Sequence, residues 1–160
     1  MPAKKKSARK PARPKRAKRA APRTRASQAR KQPETLRLRT CTAGLTVNDI
    51  HKSVAWYRDV LGCVVTDRWE REGQLQGATM RAGSVEFFLG QDDWRKGRDR
   101  KKGEGFRIYC TTRQKVEALA TLIKARGGVL LHDVQTEPWG ERDFAVADPD
   151  GFKITISQAR

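Results

Sequence analysis

The sequence predicts an α+β fold of two successive βαβββ units behind a strongly basic N-terminal extension. Three observations predict it. One order of elements, a strand, a helix and three more strands, is legible twice along the chain. Matching landmarks keep a near-constant spacing, 65 residues from Gly62 to Gly127 and 63 from Leu45 to Ile108, as a duplicated unit requires. The charge is confined to one end. Residues 1–39 hold 16 Lys and Arg against one acid, Glu34, a net +15, whereas residues 40–160 hold 19 against 17 acids, a net +2.

The extension has Leu36 near its end and no Val, Ile, Phe, Trp or Tyr. Almost no apolar surface offsets the entropy of ordering it, so residues 1–36 are expected to form a disordered tail. Its Ala, Lys, Arg and Pro content is similar to linker-histone tails. The folded domain is expected over 37–160, with units at about 40–90 and 105–158.

Order is expected to start near Leu36–Cys41 and to continue as a strand at Gly44–Val47. Asn48-Asp49 offers helix caps, and Ile50, Val54, Tyr57 and Leu61 recur at helical spacing. Gly62 accepts the left-handed backbone that closes such a helix. Cys63–Thr66 reads as a strand, Gly73 and Gly77 punctuate the segment after it, and Gln76–Arg81 and Val85–Leu89 pair around Gly83-Ser84. Gln91–Glu104 is polar and Gly-rich, a linker or long loop; from Arg95 to Lys102 it is expected to be solvated, with a second contact to nucleic acid as the alternative. The pattern then returns. Phe106–Cys110 is a strand, and Val116–Arg126 is a helix with Val116, Leu119, Ala120 and Ile123 on one face, ended by Gly127-Gly128. Val129–Val134, Asp143–Ala147 and Ile154–Ser157 are strands, the last two joined by a turn at Asp148-Pro149-Asp150-Gly151.

Some function classes are excluded early. No stretch approaches the roughly 18 apolar residues of a membrane span, and residues 1–20 lack the apolar core of a secretory signal. Cys41, Cys63 and Cys110 are scattered and odd in number, as reduced thiols of a cytoplasmic protein are. No Ser-His-Asp or Cys-His arrangement and no Gly-rich phosphate loop is visible.

The run Leu45–Ile50 followed by Ser53–Gly62, and the run Pro138–Gly151, resemble the two module motifs of the vicinal oxygen chelate superfamily, the glyoxalase/bleomycin-resistance/dioxygenase type. The resemblance spans roughly residues 40–158. It implies that each βαβββ unit curls into a half-open cup of mixed sheet, that helices cover the outer faces, and that a ligand lies in the cleft. Enzymes of the family usually hold one divalent metal through His, Gln and Glu, whereas its antibiotic-binding members hold none.

Aligned on that resemblance, the four ligand positions fall at Thr42, Glu86, Arg107 and Thr155. Only Glu86 suits a metal. One carboxylate does not hold a transition ion that needs about three protein ligands, and Arg107 repels it. His51 falls in the first turn of a helix, and His132 on an interior strand away from the four positions. No metal and no cofactor is therefore expected.

Alternation along strands places Gly44 and Thr46 with Thr42, Phe88 with Glu86, Tyr109 with Arg107, and Lys153 and Ser157 with Thr155. Trp69 and Trp139 are candidate rim residues. Such a lining suits a planar polar ligand, with aromatic faces to stack on, Arg107 for a carboxylate and Glu86 for an amine. The plainer expectation is a structural Glu86–Arg107 ion pair in place of the metal. The function expected is metal-free small-molecule binding, with a lyase, isomerase or dioxygenase of the same fold as the alternative. A homodimer is within the expectation. The +15 tail is expected to bind nucleic acid without sequence readout, because it has charge and no aromatic side chain to stack on bases.

Overall fold

The computed structural model describes residues 36–159. The expected disorder of the tail therefore falls, except at Leu36, outside the described residues.

The first module is β1 (Ala43–Val47), α1 (Ile50–Asp59), β2 (Val64–Arg71), β3 (Gln74–Ala82) and β4 (Val85–Gln91). The second is β5 (Arg107–Thr112), α2 (Val116–Ala125), β6 (Leu130–Thr136), β7 (Arg142–Ala147) and β8 (Lys153–Gln158). Their strand orders are β1-β4-β3-β2 and β5-β8-β7-β6. β1 runs parallel to β4 and β5 parallel to β8, and all other pairs are antiparallel.

The N-caps differ between the modules, since Lys115 before α2 makes no side-chain cap bond, but a glutamine tie repeats. Asp49 accepts from the amides of His51 and Lys52 and opens α1. Gly62, at φ 85°, lets the chain leave α1 in the left-handed region. The Gln91 carboxamide at the end of β4 accepts from Ile50 N, and Gln158 at the end of β8 accepts from Val116 N. The same residue type thus ties the last strand of each module to the first turn of its helix.

Each helix lies on one face of its own sheet, and those two faces share one core. Leu45, Val47, Phe87 and Leu89 from the first sheet join Phe144, Val146 and Ile154 from the second. Each side chain so buried contributes about 1.5–3 kcal/mol. Polar ties cross the same side. Tyr57 Oη donates to Asp148 Oδ2 at 3.1 Å, Ser53 Oγ to Asp150 Oδ2 at 3.1 Å, and Asn48 N to Asp150 Oδ1 at 2.8 Å. Burial, above all, pushes the Asp148 carboxyl up to about 6 and raises the Tyr57 hydroxyl. A cavity of about 410 Å³ remains between the modules, lined among others by Leu61, Phe87, Leu119, Ile123 and Ile156. The helix sides therefore face one another, and the opposite face of each sheet is left open.

Three expectations change. β2 runs to Arg71, well past Thr66. It is an edge strand with bulges at Val65/Asp67 and Trp69/Glu70, which hide its alternation. Gly77 lies inside β3, and the turn before β3 is Glu72-Gly73, both at positive φ. The linker is also pinned. Lys102 Nζ lies 2.7 Å from Asp92 Oδ2, Arg100 meets the same carboxylate, and the Lys102 side chain is 5% exposed. The hydrogen bond from Lys102 holds the Asp92 carboxyl down to about 2 against the cost of burying it. Arg98 and Lys102 also lie over the Trp94 ring. Arg100 and Lys102 are thus not solvated loop cations.

Candidate functional site

The open face of the first sheet is an aromatic ledge. Trp69 projects from β2 and stacks on Phe88 of β4 at 4.4 Å between centroids, 11° from parallel. Between them β3 carries Gly77, the register partner of Trp69. A Cβ at Gly77 would stand 1.7 Å from Trp69 Cζ2, so only glycine lets the indole lie flat on the sheet. Trp69 and Phe88 remain 36% and 39% exposed. Glu86, half-buried, shares this face two residues before Phe88, opposite Arg81 in register. Gly44 and Thr46 of β1 are exposed here too, and Thr42 is exposed just before β1 begins.

The open face of the second sheet is polar. Arg107 Nη1 donates to Thr155 Oγ1 at 2.9 Å, and Tyr109, the register partner of Thr155, is 72% exposed. Ser157 and Asp143 are register partners and both are buried. His132 pairs with Ala145, which puts its ring on this face, with Nε2 3.9 Å from Asp143 Oδ1. Burial raises the Asp143 carboxyl pKa, and Glu137 and Glu141 raise it further, against His132 and Arg107. No group among the described residues donates to Asp143 Oδ1. Trp139 sits between β6 and β7, where Nε1 donates to Glu141 Oε2 at 3.1 Å.

The eight candidate residues thus divide between two surfaces, with Thr42, Trp69, Glu86 and Phe88 in the first module and Arg107, Tyr109, Trp139 and Thr155 in the second. The expected Glu86–Arg107 ion pair does not form. The two residues stand on different sheets whose shared core lies on the helix side, and Arg107 Nη1 meets Thr155 instead. His132 is not on an interior strand, because β6 is the outer strand of its sheet. Sequence reasoning missed Asp143. The available signal was its place one residue before Phe144, whose burial against the helix side turns Asp143 to the open one.

The four positions aligned with metal ligands do not fit a divalent ion. Thr155 already accepts from a guanidinium, and Glu86 is the only carboxylate among the four. Among the described residues, no three His, Cys, Asp or Glu side chains gather as a metal site. Cys41, Cys63 and Cys110 are free thiols, and burial pushes Cys63 up to about 12. No helix among the described residues is long and apolar enough to cross a membrane.

Solved structures share the fold. A superfamily member from Sphaerobacter thermophilus DSM 20745 superposes with a TM-score of 0.64 at 22% identity, over 76% of this chain and 98% of that one. TioX from Micromonospora sp. ML1 gives 0.61 at 19%, over 73% and 95%. A protein of unknown function from Agrobacterium tumefaciens str. C58 gives 0.59 at 25%, over 78% and 97%. No curated protein matches the chain. The family model for the Glyoxalase/Bleomycin resistance protein/Dioxygenase superfamily matches residues 38–156, and the chain belongs to that superfamily.

Proposed function

We propose that this is a metal-free small-molecule-binding protein whose ligand is planar and polar and lies against the open sheet faces. The observation that carries this reading is the Trp69–Phe88 stack, laid flat over Gly77 and left exposed. Aromatic surface of that kind costs free energy in water and gains it when a planar ligand covers it. Because the helix sides share the core, the two open faces of one chain do not close on each other. A second copy that supplies the facing sheet completes the cup, so the working form is a homodimer. Native mass spectrometry of the full-length protein tests the reading. The expected result is a dimer carrying a small organic molecule and no metal, with Trp69→Ala shedding the molecule. A bound transition metal lost with Glu86→Ala is the opposing result.

A second reading concerns residues 1–36, proposed as a tail distinct from the domain at 37–160. Its charge favours non-specific binding to nucleic acid, whereas the domain carries only +2 beyond residue 39. If about eight phosphates are neutralised, affinity for duplex DNA falls with a log–log salt slope near −7. Fluorescence anisotropy at two salt concentrations checks this. Equal binding by a chain lacking residues 1–35 would remove the tail from the account.

A further inference from the structure

We infer that the open face of the second sheet is a two-point receptor for a planar aromatic acid bearing an amino group at its far end, with Arg107 taking the carboxylate and Asp143 with His132 taking the amine. This rests on the open-face reading above and moves the amine partner from Glu86 to a pair that sequence reasoning did not single out.

The amine end follows from hydrogen-bond bookkeeping. His132 Nδ1 lies 3.0 Å from the Asp133 carbonyl oxygen. A carbonyl only accepts, so Nδ1 carries the proton, and in the neutral ring Nε2 is left as an acceptor. Nε2 faces Asp143 Oδ1 at 3.9 Å, too far for a direct hydrogen bond. The Asp143 side chain is 6% exposed, and no group among the described residues donates to its Oδ1. A buried acceptor left without a donor costs about 1–3 kcal/mol. The Asp143 carboxylate and a neutral His132 ring together offer two acceptors side by side, and these match one group with two N–H bonds, as an arylamine has. Glu137 and Glu141 add negative potential around Asp143 and favour the same donor.

The carboxylate end lies on the same face. Arg107 is exposed and is the register partner of Lys153, so two cations stand together there. Arg107 reaches Thr155, and Ser157, two residues on, is opposite Asp143. Thr155 and Asp143 are therefore diagonal neighbours, about 7 Å apart. That separation suits a substituted benzene ring with its charges at opposite ends, and the exposed Tyr109 ring stands beside the path.

Titration of the full-length protein with 4-aminobenzoate and with benzoate tests the inference by calorimetry. The two probes differ only in the amine. 4-Aminobenzoate is expected to bind at least tenfold more tightly, and Asp143→Asn to bring the two within twofold while benzoate affinity is kept. His132→Ala, on the edge strand, is the second variant should Asp143→Asn fail to fold, and it should cut the preference severalfold. Equal affinities in the wild type, or a preference that survives both variants, overturn the inference and leave the open-face reading standing. If neither probe binds, or both bind equally well to Arg107→Ala, the inference is overturned, and the open-face reading is then decided separately by the Trp69→Ala mass spectrometry.

Discussion

In the first module, strands alternate an apolar helix side with an open side paved by Trp69 and Phe88 over Gly77. In the second, the same βαβββ order alternates an apolar helix side with an open side of Arg107, Thr155, Ser157, Asp143 and His132. The helix sides are alike down to the glutamine that caps each helix. The difference teaches where duplicated units are free to diverge. A helix side must fill a common core and tolerates little change of volume. An open side answers only to whatever is laid against it.

The largest expected effect breaks the comparison by unseating both modules together. Asp148 accepts from Tyr57 Oη and from the amides of Asp150 and Phe152, so Asp148→Ala is expected to cost about 3 kcal/mol. Urea unfolding followed by tryptophan emission should show a single transition moved to lower denaturant. A loss confined to one module would mean that the joint is not shared.

Acid sharpens the same point. Burial pushes Asp148 up to about 6 from an ordinary value of 3.8, so the folded chain holds that proton more tightly than the unfolded one. Its contribution to stability therefore rises as pH falls from about 6 to 3.8 and is absent above that window, by up to about 3 kcal/mol. Asp148→Asn keeps an oxygen acceptor for the two amides and should flatten this part of the stability profile in urea titrations between pH 4 and 7. An unchanged slope would assign the pH dependence elsewhere.

A smaller effect separates the faces. Gly77→Val places carbon where the Trp69 ring lies and should cost about 1–2 kcal/mol. The near-ultraviolet circular dichroism of the Trp69–Phe88 stack should fall, while the NMR resonances of the Tyr109 ring on the other sheet stay as they were. Movement of both signals would show that the ledge and the polar floor are coupled. Smallest of all, removing residues 1–35 should leave the unfolding free energy of the remaining chain within about 0.5 kcal/mol. A larger loss would show that the extension props one of the faces.

Helices and turns were legible because their signals are local. Asp49, Gly62 and the Asp148–Gly151 turn each announce themselves within four residues. β2 was legible only at its start, since bulges break its alternation and both its faces meet water. The Trp69–Phe88 contact depends on two strands separated by a third, and no spacing along the chain encodes it. Asp143 and His132 escaped for a related reason. Register shifts in β6 between Leu130 and Gln135 decide which way His132 points. Alternation counted from Thr155 on β8 does not reach β7 or β6. The Glu86–Arg107 pair was drawn from a cup assumed to close within one chain, and the shared helix-side core overrides that assumption.

The clamp on Asp92 bears on how two copies could trade parts. Domain swapping exchanges an identical element between copies through the hinge that joins it to the rest of the chain. Here Lys102 and Arg100 close on a carboxylate at the very start of the connection between Gln91 and Arg107. Most of the spare length is thereby taken up before the second half begins. Each half stays leashed to its own sister, so any second copy would find a finished body rather than a limb to swap.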